Sequence, residues 1–469
     1  MKTLCLALAC CACVHFPSYP DLVAAPAHPA QSILIRDVRL FRGTVKEAEE
    51  HMDVLVKGDK IADVRKTAGE APQAEQVIDG RGLTLLPGFV DLHAHLTYTA
   101  APPWYLAMPK PEHNAQAHVY AGVTTVLDLG GDPGEIIGLQ HEIALGKPIG
   151  PRIYFAGQHL TVPGGYPLDM IRDVYGRLAY WSLEGSHARG VSTIAALEGE
   201  VDRLHALGAR FIKVMVATIP PSGAPRLSDD MVRAAVLRAH SYRMKVAAHI
   251  DTASDALICA RAGVDLLAHG VEAPALTDEQ AREIAASGIR VEPTLVNFER
   301  FDELADGHYQ GSAIERESEP PELLAQFSDE KLREQRESFL KSSFESWGEE
   351  LEKYRAERPR NLMRLYAAGV PVLVGDDAMG SIAAFAGGYH DELRMMVEAG
   401  MPAAEVLLSA TGRAAKFLDD APTFGTVEPG KSADLLLVRG NPLEDIGATR
   451  NIEKVFVRGV AVERTPIRH

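Results

Sequence analysis

Eight short apolar runs, separated by longer segments of helical patterning, constrain this chain more tightly than any other feature of its sequence. They are GFVDLHAH (88–95), VTTVLDLG (123–130), RIYFAGQ (152–158), FIKVMV (211–216), KVAAHI (245–250), VDLLAHG (264–270), IRVEPTL (289–295) and VPVLVGDD (370–377). Strand-length runs that alternate with helical ones predict βα units and a parallel sheet. Eight of them fit an α/β fold of the (β/α)8 TIM-like barrel type, whose chemistry gathers at the carboxyl ends of the strands. An open doubly wound sheet would place a glycine-rich phosphate loop after its first strand, and no such loop follows the first run.

Polar residues close several of these runs, and their types form a set. The first run ends in His93-Ala94-His95; on a strand alternate side chains share a face, so the two imidazoles project together. Two ligands cannot hold an ion alone. Lys213, His249, His269 and Asp377 supply the further candidates, each at the end of its own run. A lone histidine in such a place is more often a hydrogen-bonded core residue. Six strand-end groups of ligand type point instead to a metal site. The eighth run carries two acids, and adjacent strand positions face opposite ways, so Asp376 and Asp377 cannot both point at it.

In order along the chain, PGFVDLHAHL, FIKVM, VAAHI, LLAHGVE, VGDDA and the closing GTVEPGKSADLLLVRGNPLEDI resemble the amidohydrolase superfamily, most closely its branch of prolidase-like metal-dependent peptidases and imidazolonepropionase-like enzymes. The resemblance implies two divalent ions, zinc first among them. His93 and His95 with an acid of the eighth run would hold the more buried ion, and His249 and His269 the second. A carbamylated Lys213 would bridge them. Hydroxide activated by the ions would attack an amide carbonyl, with Asp377 taking the proton and passing it to the leaving amine. The superfamily usually reads Gly-Thr-Asp where this chain has Gly375-Asp376-Asp377, which keeps Asp376 in contention as a ligand or a supporting group. Tyr166 stands where relatives carry a histidine after Gly-Gly, and its hydroxyl could donate to an oxyanion; a tyrosine that merely packs the loop is the competing reading. Tyr98, His159, His187 and Arg189 are further pocket candidates, and His390 lies in a segment that resembles the one following the family's last acid. The implied activity is hydrolysis of an amide bond in a dipeptide or N-acyl amino acid. The alternatives are a cyclic-amide hydrolase of the imidazolonepropionase kind and a non-catalytic binding relative.

The rest of the chain frames this core. Met1-Lys2 and the apolar run to Phe16 read as an export leader, expected to span residues 1–27 with cleavage after Ala25 or Ala27. Four of the five cysteines fall in it, leaving Cys259 in the mature chain; lipid anchoring through an early cysteine is the variant of the same exported fate. Short alternating strands in 28–86 and again in 421–469 predict one small β-sandwich domain built from both ends around a barrel of 87–420. Within the barrel, 298–360 turns charged and helical, either as a solvated face or as a cover on the pocket. A formal charge of −16 argues against nucleic acid or an anionic membrane surface as partner, and no second apolar run is long enough for an integral span. A small-molecule amide substrate and a homo-oligomer are the expected partners.

Overall fold

A computed structural model describes residues 17–105, 107–173, 185–217, 225–344 and 350–467. The early cysteines and most of the expected leader lie outside the described residues. Seven of the eight runs contain a strand, all parallel to their neighbours. Phe89–Ala94 pairs with Val123–Asp128, which pairs with Arg152–Phe155. The third run then breaks at Ala156–Gln158, and its continuation His159–Thr161 pairs with Phe211–Met215. From there the ladder passes through Lys245–His249 and Leu266–Ala268 to Arg290–Glu292.

The eighth run differs from expectation, because it forms isolated bridges instead of a regular strand. Its Leu373 N–H donates to Val291 O at 2.8 Å, and its Val374 carbonyl accepts from Leu92 N at 3.0 Å. Single parallel bridges join Val291 to Val372 and Ala94 to Ala378. Pro371 lacks an N–H, and both Asp377 (φ 57°) and Met379 (φ 65°) adopt left-handed backbone, so no continuous ladder can run through it. Gly375 allows the close approach to the first strand: a Cβ there would stand 2.8 Å from His93 Cβ.

Alternation along the strands divides the core in two. Phe211, Ala247 and Leu266 join Val90, Leu92, Leu127 and Leu373 in an inner cluster, closed by Phe417 and Leu418 of helix Gly412–Leu418. Ile212, Val214, Val246, Ala248 and Leu267 point the other way and pack on helices. Those helices start and stop where the sequence signals it. Thr252 and Thr277 open two of them with reciprocal capping boxes to Asp255 and Gln280, and Gly263 ends the first in left-handed conformation at φ 83°.

The two ends of the chain share one mixed eight-stranded sheet, joined where Leu435–Arg439 pairs antiparallel with Leu83–Pro87. Its own core mixes Ile35, Val54 and Leu85 with Leu435, Leu437 and Phe456. Ahead of it, Leu22 and Val23, within the stretch expected as leader, are buried in the main core. The charged segment becomes a set of helices beginning at Leu295–Ala305. Leu304, Leu323 and Phe327 of this segment pack against Ala100 and Ala101 after the first strand and against Met379, Ile382 and Phe385 after the eighth run. Among the described residues no helix is long and apolar enough to cross a membrane.

Candidate metal centre

The strands and the eighth run bring the six predicted side chains into one buried group, Lys213 from the middle of Phe211–Met215. His93 Nε2 lies 3.3 Å from Lys213 Nζ and 3.2 Å from Asp377 Oδ1, and His95 Nε2 is 3.0 Å from the same oxygen. The His269 ring stands 4.9 Å from that of His93 and 4.4 Å from that of His249. His93, His95 and Asp377 form a cluster whose ligand atoms all fall within 4.8 Å of one another, a group able to hold a metal ion.

Two of these side chains stand on left-handed backbone. Ala268 is in the inner cluster, so simple alternation would turn His269 outward; a left-handed backbone (φ 76°) turns it in. Asp377, also left-handed (φ 57°), shares by alternation the face of the inner-cluster Leu373, whereas Asp376 turns to the buried Asp91; its own burial, with the Asp91 carboxyl beside it, holds the Asp376 carboxyl well above the usual range. Asp376 Oδ1 accepts from Ala378 N at 3.0 Å.

Hydrogen bonds on the outer side of the imidazoles decide what their inner side offers. His95 Nδ1 lies 2.8 Å from the Gly130 carbonyl, which can only accept, so a hydrogen is on Nδ1 and Nε2 is the nitrogen turned to Asp377. His93 Nδ1 sits 2.7 Å from Glu292 Oε1, and His269 Nδ1 sits 2.7 Å from Thr294 Oγ1. Carboxylate, carbonyl and hydroxyl partners of this kind orient imidazoles that ligate a metal through the other nitrogen. Burial, with Lys213 close by, pushes His93 well below its ordinary pKa and does the same to His269 and His249. Burial thus holds three rings of the centre neutral, each with a nitrogen free to accept. Nε2 of His249 is buried with no hydrogen-bond partner, 3.7 Å from Asp251 Oδ1. The donor set therefore fits a divalent cation.

Lys213 is 1 % exposed, and burial lowers its ammonium to about 8 against the opposing charges of Glu292 and Asp377. Asp377 Oδ2 accepts from Asn297 Nδ2 at 2.5 Å, and the Ser381 hydroxyl donates to Asn297 Oδ1. Glu292, Thr294 and Asn297 were not among the predicted residues. Glu292 was visible as the one acid in an apolar run, but nothing in the sequence paired it with His93.

The pocket candidates separate into two groups. Tyr98 stacks on His95 at 4.9 Å and on His187 at 4.4 Å, with His159 edge-on to His95 at 5.5 Å. Tyr166 lies 5.0 Å from His249, and burial together with Asp377 keeps its hydroxyl protonated far above neutrality. Arg189 is drawn instead to Glu200, at 4.0 Å. His390 belongs to the core outside the centre: its ring nitrogens lie 3.0 Å from Thr449 Oγ1 and 2.9 Å from the Ala121 carbonyl. At the edge of the centre Phe298 packs on His269 at 6.2 Å. Arg358 lies over Phe298 at 4.2 Å and bonds Glu272 at 3.2 Å, so the charged segment reaches the metal-type histidines.

The chain and its fold resemble known proteins. An uncharacterized protein of Mycobacterium tuberculosis is 28% identical over 406 residues, covering 85% of this chain and 90% of its own length. The crystal structure of a Xaa-Pro dipeptidase with methionine bound in its active site superposes with a TM-score of 0.69 at 25% identity, over 92% of this chain and 99% of that one. A prolidase complexed with N-methylphosphonate-L-proline gives the same TM-score and identity over 92% of this chain and all 100% of its own. The model of the amidohydrolase family matches residues 84–462, most of the chain, and the protein belongs to that family.

Proposed function

We propose that the protein is an exported, metal-dependent hydrolase that cleaves the amide bond of a dipeptide or an N-acyl amino acid. One observation carries this reading: His95 Nε2 and His93 Nε2 both turn to Asp377 Oδ1, at 3.0 and 3.2 Å, so that three buried ligand atoms converge on one point suited to a cation. On this reading residues 87–420 form a (β/α)8 barrel and the paired ends a β-sandwich. His93, His95 and Asp377 would hold one divalent ion, and His249 and His269 would hold a second, with Lys213, once carbamylated, as a ligand available to both. The low pKa of Lys213 supports that role, since an unprotonated amine can add to carbon dioxide and lose a proton to solvent, giving an anionic carbamate oxygen pair. Two such ions, zinc being suited to imidazole and carboxylate, supply an activated water and polarise a carbonyl.

The chain's own residues do the remainder. Asp377, its outer oxygen fixed by Asn297, takes the proton from the attacking water and delivers it to the departing amine nitrogen. Tyr166, held protonated, donates to the oxygen that gains charge. Tyr98 and His159 wall the pocket beside His95. The dipeptidase and prolidase structures that resemble this one support the substrate class. The test is a screen of dipeptides and N-acyl amino acids with zinc-loaded protein, paired with elemental analysis. About two divalent ions per chain and turnover of at least one substrate class are expected. A protein that binds no transition metal and gains no activity when metal is added refutes the reading.

A further inference from the structure

The first described residues are built into the folded body. Leu22 has no exposed surface and Val23 is 3 % exposed, both inside the main core. Their backbone is held from two sides. Leu22 N donates to Gln116 Oε1 at 2.7 Å, and its carbonyl accepts from Thr465 N at 2.8 Å. Val23 pairs antiparallel with Arg464. Gln116 also donates from Nε2 to Asp21 Oδ1 at 3.0 Å, and the Tyr19 ring lies edge-on to His113 at 4.6 Å. Gln116 and His113 belong to helix Pro111–Tyr120, whose Asn114 donates to the carbonyls of Leu96 (2.8 Å) and Tyr98 (3.0 Å). The segment therefore braces the helix that fixes the loop following His93 and His95.

The small residues that suggest leader cleavage after Ala25 or Ala27 lie on the wrong side of this segment. A cut there would take a fully buried leucine out of the core, strip Gln116 of both its partners and leave the chain's last strand unpaired. Export proteases cut an unfolded, extended chain, so it is the product, not the accessibility of the folded site, that decides which cut a working protein can carry. We infer that residues 17–24 remain in the working protein and that the leader is cut amino-terminal to Pro17. The existence of a cut rests on the export reading above; the retention of the segment does not.

The two are tested separately. The full chain is expressed in an exporting bacterium and the amino terminus of the recovered protein is read by intact mass and Edman degradation. Leaderless chains that start at Pro17 and at His28 are compared in thermal unfolding, each with and without Gln116→Ala. The exported protein should begin at or before Pro17. The His28 chain should melt about 5 °C or more below the Pro17 chain, or fail to fold. Gln116→Ala should lower the melting point of the Pro17 chain and have less than half that effect in the His28 chain, whose Gln116 has lost its partners. An exported protein that begins at Pro26 or His28, or a His28 chain that melts with the Pro17 chain, overturns the inference. A chain that stays inside the cell with Met1 intact overturns the export reading alone, and retention is then decided by the melting comparison.

Discussion

Asp377 stands on left-handed backbone with its carboxyl against His93 and His95, while Asp376, one residue earlier, turns to Asp91. The carboxyl of Asp376 is held protonated by burial beside Asp91, so an amide is a near copy of it. Under metal saturation, Asp377→Asn should therefore lower turnover by roughly a hundredfold or more, as expected for a lost general acid and base, and Asp376→Asn by only a few-fold. Steady-state kinetics on both variants decide the matter; a dead Asp376→Asn and a mild Asp377→Asn would exchange the roles. Asn297→Ala removes the donor to Asp377 Oδ2. It should reduce kcat by about tenfold with metal content unchanged, because supporting contacts orient a ligand without supplying it; equal loss of bound metal and kcat would make Asn297 a structural prop of the ion instead. The types of the central residues were legible in the sequence because each is a polar group in an apolar run, at its end for all but Lys213, which sits in the middle of Phe211–Met215. Their directions were legible only in part: alternation with Phe211, Ala247 and Leu373 of the inner cluster assigns Lys213, His249 and Asp377, but it fails at His93, next to the inner Leu92 where the strand pairing is irregular, and at His269, next to the inner Ala268. Glu292, Thr294 and Asn297 stayed hidden because a partner across the fold, not any local pattern, gives them their role.

At the scale of elements, helix Tyr389–Ala399 shows how a family-like segment can serve the scaffold. His390 on it bonds the Ala121 carbonyl and lies edge-on to Phe89 of the first strand at 5.9 Å, tying the helix to the start of that strand. Burial lowers its imidazole from 6.5 to about 4. The unfolded chain thus takes up the proton first. The stability this neutral ring contributes is complete above about pH 6.5, declines as pH falls and is gone by about pH 4, a change on the order of 3 kcal/mol. His390→Gln, which cannot titrate, should flatten that limb of the melting temperature plotted from pH 7 to pH 4 relative to the parent, whatever it costs at neutrality. An unchanged slope would mean that the ring is not the group that charges on unfolding. The strand runs were legible in the sequence because apolar length and β-branched content mark them. The eighth run reads as a strand too, yet Pro371 and its left-handed turns leave it as bridges. The charged segment was readable as helical. Its place was not, since Leu304, Leu323 and Phe327 reveal their target only once the loops after the first and eighth runs are in position.

For the whole molecule, the telling feature is the joining of the chain's two ends. Leu83–Pro87 finds its neighbour Leu435–Arg439 only after the entire strand-and-helix body between them has been made. During synthesis, then, the edge of Leu83–Pro87 is left open for most of the chain's length, a row of unpaired backbone groups of the kind that recruits other chains. Pairings so distant in sequence are also slow to form. The same closeness offers a remedy. Thr465 N bonds Leu22 O, so the two termini leave the fold side by side. Ring closure between Ile467 and Pro17 by a short glycine-serine linker, with new ends opened at the exposed Gly146–Lys147 turn, would place residues 435–467 directly ahead of 17–87 in the order of synthesis. Such a circular permutant should keep the parent's metal content and turnover while giving a higher soluble fraction on expression. A permutant that folds with no gain in soluble fraction would show that the open edge is not what limits assembly.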